Sequence, residues 1–177
     1  MANVAAIRFF AFFCGLLGVI FLITALPTHH WYHARPYGSN ETVVPESLHV
    51  KTIYGGIFED CREMSDGSYS CHTTHGDGYV KTTKAFLALG IVGYAAITIY
   101  TLLTALTRKL CYKVLGSITV ITAFFIMVGM ATYTDQHPDK GDNMEYGWSF
   151  DLGWVSFVLT LVAGILAFFG DVEYEKV

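Results

Sequence analysis

Four long apolar runs separated by polar links set the layout of this chain. They cover residues 9–26, 85–106, 114–134 and 147–170, each about 18 to 24 residues long. A helix rising about 1.5 Å per residue needs roughly 20 residues to cross a hydrocarbon layer of roughly 30 Å, so each run predicts a membrane-spanning helix. Buried helices of soluble bundles rarely run so far without an ionised side chain. The first run is also longer than the core of a signal peptide, and it ends in ITALPTHHW rather than a small-x-small cleavage site. All four runs are therefore read as spans of a single membrane domain covering residues 1–177, with outward loops over about 27–84 and 135–146.

Between the first two spans the pattern changes to that of strands. HVKTIYGGIF is rich in β-branched and aromatic residues, with Gly55-Gly56 placed for a bulge or bend. Further on, CREMSDGSYSC carries Asp66-Gly67, a strong hairpin turn signal. The second outward loop is short and adds at most an edge strand. The expected fold is mostly α: a four-transmembrane-helix bundle with a small extracellular antiparallel β-sheet on its outer end.

Composition sharpens this picture. Hydrophobic residues make up 53% of the chain and charged residues 15%, as in a membrane protein. The net charge of −4 offers no basic face, which sets nucleic-acid partners aside. Where the few cations lie gives the orientation. The link TRKLCYK holds Arg108, Lys109 and Lys113, whereas DQHPDKGDNMEY holds four acids and one lysine. Basic short loops stay in the cytoplasm, so both termini are expected there, in a multi-pass protein of the plasma membrane. The glycosylation acceptor Asn40-Glu41-Thr42 then faces the lumen, all seven histidines lie in outward loops, and Trp31, Trp148 and Trp154 sit near span ends on that same side.

Cysteine placement follows from the same topology. Cys14 lies within the first span and Cys111 on the reducing side, so only Cys61 and Cys71 share an oxidising compartment. A bond between them would staple the two strands across the Asp66-Gly67 turn and stabilise that small unit by about 2 to 4 kcal/mol.

At this point the chain resembles a known group. Trp31 after the first span, the triplet Gly56-Ile57-Phe58, the pair Cys61 and Cys71, and a long first and short second outward loop are similar to the signature of the claudin superfamily. That group includes the peripheral myelin and epithelial membrane proteins, the lens fibre membrane intrinsic protein, the claudins and the channel gamma subunits. KTTKAFLALG and EYGWSFDLGWVSF resemble the family's entries to the second and fourth spans. The triplet departs from the family's Gly-Leu-Trp, keeping apolar bulk but losing an indole N–H. The opening pattern and fourth span look closer to the epithelial membrane and lens proteins than to the strand-forming claudins. Ile57, Phe58 and Trp31 are expected to pack together as anchors of the sheet.

The resemblance implies a structural or adhesive membrane protein of cell-cell contacts, possessing no cofactor, whose partners are lipids and either itself or related tetraspan proteins in cis or trans. If it forms paracellular paths, the charges near the hairpin, Glu59, Asp60, Arg62, Glu63 and Asp66, are the candidates for ion selection or partner contact. The long stretch from Trp31 to Cys61 and the acceptor at Asn40 resemble the channel gamma group, which implies the alternative of an auxiliary subunit of an ion channel or receptor.

Remaining features are weighed on their chemistry. HHWYH and CHTTH have spacings zinc can use, but Cys71 is consumed by the staple, and no metal site is assigned. Clustered histidines would instead tune adhesion near pH 6. Asp151, the acid within the fourth run, is expected near the outer interface or paired with Lys84. Cys111 beside Arg108 and Lys109 fits a palmitoylation site, and the terminal EYEKV fits a PDZ-type groove. Gly15, Gly18, Gly90, Gly93, Ala163, Gly164 and Ala167 mark close helix packing. No G-x-S-x-G, P-loop, H-E-x-x-H or embedded carboxylate pair is present, so an enzyme is not expected.

Overall fold

The computed structural model describes residues 2–34, 50–74, 78–107, 111–136 and 144–172. Four helices, α1 (Ala2–Ala25), α2 (Gly78–Thr107), α3 (Tyr112–Gln136) and α4 (Trp148–Val172), are each long and apolar enough to span a membrane. Helix α1 packs on α4, α4 on α3 and α3 on α2. Each helix begins or ends beyond its apolar run. Helices α1 and α2 each start seven residues ahead of their runs, and α2, from Gly78, carries Lys81 and Lys84 on its first turns. Val80, Thr83, Leu87 and Gly90, three or four residues apart, keep one buried stripe across the boundary, so packing rather than hydropathy sets where this helix begins.

Small residues bring the helices together. A Cβ added at Gly90 would meet Ile126 at 2.9 Å, and one at Gly93 would overlap the Thr122 side chain, so α2 and α3 approach through these two glycines. Gly18 does the same between α1 and α4, where Thr160 lies 2.9 Å from the position a Cβ would take. Without a hydrophobic gain between helices in lipid, such close approach supplies dispersion contact. The glycines are spent on packing within the chain. Two buried threonines have their hydroxyls satisfied within their own helices, Thr122 donating to Ile118 O and Thr160 to Ser156 O, and Ser156 donates to Gly18 O across to α1 at 2.7 Å.

Five strands form one antiparallel sheet in the order β4-β3-β2-β1-β5, with β1 Tyr32–Ala34, β2 Val50–Gly55, β3 Glu59–Met64, β4 Tyr69–Thr73 and β5 Met144–Tyr146. The hairpin expected around Asp66-Gly67 is present. Gly67 takes a φ of 80°, Met64 N donates to Ser68 O at 2.9 Å, and Ser68 N donates to Asp66 Oδ1 at 2.8 Å. Cys61 stands opposite Cys71 in the β3–β4 register, and the two form the disulfide. Strand β2 ends at Gly55, the bend falls on Ile57 and Phe58 just past the two glycines, and the register irregularity lies between Val50 and Thr52. Strand β5 is the edge strand from the second loop.

Candidate functional site

The centre of the sheet-bearing end is Trp31. Its ring is fully buried among the helices, edge-on to Tyr133 at 5.1 Å and to Phe150 at 6.4 Å. Its indole N–H donates to Ala25 O at 2.9 Å, satisfying a carbonyl left over at the end of α1. Its backbone N–H donates to Gly55 O of β2, and its carbonyl accepts from Gly147 N beside β5, both at 2.9 Å. One residue thus joins the sheet to the bundle through both backbone and side chain. Thr28 adds a second tie, donating to Ala25 O at 2.8 Å and lying 2.6 Å from Ser149 Oγ at the start of α4.

Of the triplet, Ile57 is fully buried in the same core as Trp31. Gly56 is required by space, because a Cβ there would sit 2.6 Å from Thr28 O and 2.8 Å from His29 Cα. Phe58 departs from the expectation of a third anchor. It is 45% exposed, and Lys84 Nζ lies over its ring at 5.0 Å, so its indole-lacking side chain forms a lid on the surface instead of a core contact. Lys84 is accordingly not the partner of Asp151, which is exposed in the first turn of α4, where an acid complements the helix dipole. Tyr133, Phe150, Tyr146 and Tyr32 are clamp residues that sequence reasoning did not single out. The i,i+4 pair Tyr146 and Phe150, stacked at 4.1 Å, was the available signal.

Register divides the sheet into two faces. Tyr32 and Tyr146 stand opposite each other across β1 and β5, and Tyr32 and Asp60 share the face that meets the helices. Tyr32 is pushed up to about 12 by burial and by Asp60, and burial likewise raises the Asp60 carboxyl above its ordinary value. The opposite face carries Tyr69, Glu63, Tyr54, the disulfide, His33 and Glu145. On it Lys51 Nζ meets Glu63 at 3.1 Å, the Tyr54 hydroxyl donates to Glu63 at 3.2 Å, and His33 Nε2 lies 3.1 Å from Glu145. At its border His29, His30, Tyr54 and Trp148 form a ring cluster, with His30 5.2 Å from Tyr54 and 5.7 Å from Trp148.

The five candidate charges therefore separate. Glu59, Arg62 and Asp66 are exposed, and Ser68 holds Asp66 below the usual carboxylate range. Glu63 is committed to Lys51 and Tyr54. Asp60 is half-buried against Tyr32, so it belongs to the clamp and not to the solvent face. Cys111 is exposed just ahead of α3, and Cys14 is buried in α1. Among the described residues no three His, Cys, Asp or Glu side chains converge as a metal would require. Asn40, His75, Arg108, Lys109 and the terminal EYEKV lie outside the described residues.

Comparison with known proteins agrees with this geometry. Residues 5–167 match the model of the PMP-22/EMP/MP20/Claudin family. The chain is 28% identical to human Protein NKG7 over 172 residues, covering 90% of this chain and 88% of that one. It is 26% identical to the bovine lens fiber membrane intrinsic protein over 165 residues, covering 86% and 84%. Over 114 residues it is 24% identical to human epithelial membrane protein 1, covering 63% and 71%. With four spanning helices, a stapled antiparallel sheet and a family match over nearly its whole length, the chain belongs to the PMP-22/EMP/MP20/Claudin family.

Proposed function

We propose that this chain is a non-enzymatic, structural membrane protein of cell-cell contacts, whose outward sheet meets the same chain or related tetraspan proteins in cis or trans. The observation that supports this best is the solvent face of the sheet. It is held in shape by the Cys61–Cys71 bond and the Trp31 clamp, and it presents Tyr54 and Tyr69, aromatic residues of the type enriched at interface centres, beside the polar pairs Lys51–Glu63 and His33–Glu145. Where such contacts close a paracellular barrier, Glu59, Arg62 and Asp66 at the hairpin are the charges that select ions, with Asp60 and Glu63 shaping the field behind them.

In this reading both termini are cytoplasmic, Asn40 is glycosylated outside, Cys111 is acylated at the inner interface, and the terminal EYEKV docks on a PDZ-type domain. Expression in cells that lack junctions tests the contact role. The wild type concentrates where two expressing cells touch, and a Cys61→Ser/Cys71→Ser variant that still reaches the surface does not. Diffuse surface staining, with a channel or receptor co-purifying in mild detergent and its currents altered, would replace the contact role by that of an auxiliary subunit.

A further inference from the structure

The two halves of the Cys61–Cys71 bond lie in unlike surroundings. Cys61 belongs to β3, inside the sheet, and is 1% exposed between Tyr54 on one neighbouring strand and Cys71 on the other. Cys71 belongs to β4, the terminal strand in the order β4-β3-β2-β1-β5, and is exposed. Four of the five β4 residues are exposed, the strand packs chiefly on β3, and none of its residues joins the core around Trp31 and Ile57. Apart from its ladder with β3, what holds β4 is the disulfide and, just past its end, Thr74 N donating to Phe58 O at 2.9 Å. Charge is divided in the same way. Along β3 Cys61 shares its face with Glu59 and Glu63, whereas along β4 Cys71 shares its face with Tyr69 and Thr73. Glu63 is paired with Lys51, so an anion approaching Cys71 across that face does not meet its bare charge.

We propose that this bond is a thiol–disulfide exchange site, attacked at Cys71 by a protein dithiol of the C-x-x-C type, and that exchange unfastens β4 while the rest of the sheet stays on the bundle. Attack requires a thiolate with access to one sulfur, and exposed disulfides are the readily exchanged ones. The partner's thiolate forms a bond to Cys71 Sγ as the Cys61–Cys71 bond breaks, and Cys61 Sγ leaves with the electron pair and takes up a proton. The partner's second thiol then attacks its own first sulfur and releases Cys71, which is protonated in turn. The partner ends as a disulfide, having given two electrons and two protons, and this chain ends with two thiols. The edge position assists docking. Among the described residues no strand pairs with the outer side of β4, so an extended segment of the partner can align there through backbone hydrogen bonds. The site is defined within one chain and does not depend on the contact role or on membrane orientation.

The test uses full-length wild-type protein in mild detergent, isolated without reductant. It is mixed with reduced thioredoxin whose resolving cysteine is replaced by serine, which halts the reaction at the mixed disulfide. After free thiols are alkylated, peptide mapping finds thioredoxin joined to Cys71 and the alkyl group on Cys61, with the Cys71 adduct exceeding any Cys61 adduct by on the order of tenfold because access differs between the two sulfurs. Intact thioredoxin, with its reductase and NADPH, then reduces the bond completely. The segment 59–74 becomes open to protease, the helical circular dichroism is unchanged, and reoxidation restores protection. Absence of an adduct on the folded protein, adducts divided equally between the two cysteines, an adduct mainly on Cys61, or a reduced hairpin as protected as the oxidised one would each overturn the proposal.

Discussion

At the sheet-bearing end Trp31, Tyr133, Phe150 and Ile57 fill the space between the helices, while at the other end Arg8, Tyr112 and Leu16 border a cavity of 460 Å³. Both ends are built from four helices in the same order, with glycine contacts between them. They differ in what covers them. The first carries a sheet that must hold its shape in water without a deep core, so it is clamped by an aromatic cluster and a covalent bond. Among the described residues the second carries no sheet, and the gap between its helices is lined mainly by apolar side chains. Among the described residues the aromatic clamp and the covalent bond both lie at the sheet-bearing end.

The largest expected effect comes from removing the clamp. Trp31→Ala deletes a fully buried ring and its hydrogen bond to Ala25, and it lowers stability by about 3 to 5 kcal/mol. Phe58→Ala, at the neighbouring motif position, costs less than about 1 kcal/mol because the ring is half exposed. Thermal unfolding in detergent, read alongside surface expression, checks both. Equal losses would return Phe58 to the anchor.

Next comes the staple. Cys61→Ser/Cys71→Ser lowers the stability of the hairpin by about 2 to 4 kcal/mol, and limited proteolysis shows new cleavage between 59 and 74 with the four helices intact. Loss of the helices together with the hairpin would mean that sheet and bundle do not behave as separable units.

A pair of glycines contrasts the two ends at smaller scale. Gly93→Ala overlaps Thr122 and destabilises by about 1 to 3 kcal/mol, whereas Gly15→Ala meets open space and Ala163 and leaves the melting temperature unchanged. Equal effects would show the cavity to be closed in the membrane.

The smallest expected effect is one of pH. Burial, with His29 and His33 nearby, lowers the pKa of His30. A group whose folded value lies below its unfolded one contributes stability in full above the ordinary histidine value of 6.5, and that contribution is lost as pH falls through the folded value. Lowering pH from about 7.5 to about 5.5 therefore reduces the melting temperature, and His30→Phe, which keeps a ring beside Tyr54 and Trp148, reduces the slope. Asp60 acts in the opposite sense at lower pH, since its raised carboxyl favours folding when protonated. The comparison between wild type and His30→Phe isolates the histidine.

Much of this was legible in the sequence, because its signals are local. Spans follow from run length, the turn from Asp66-Gly67, and the pairing of Cys61 with Cys71 from compartment. What was not legible depends on tertiary contact. Strand β1 has three residues, too few for a period, and exists because Trp31 fixes it between β2 and β5. Phe58 and Ile57 are adjacent and alike in hydropathy, and only the path of the chain decides that one faces the core and the other Lys84. The early start of α2 shows the same limit, since its lysines read as loop while its buried stripe of Val80 and Thr83 reads as helix only once α3 is beside it. The cavity leaves no sequence mark, because it arises from the divergence of two helices whose residues are those of any span.

The most direct measurement is thiol labelling on intact cells with a membrane-impermeant maleimide, before and after an impermeant reductant is added outside. The account predicts that Cys61 and Cys71 are unlabelled at first and both labelled after reduction, while Cys111 is reached only once the membrane is permeabilised. Labelling of either hairpin cysteine without reductant, or protection of both after it, would contradict the stapled outward sheet.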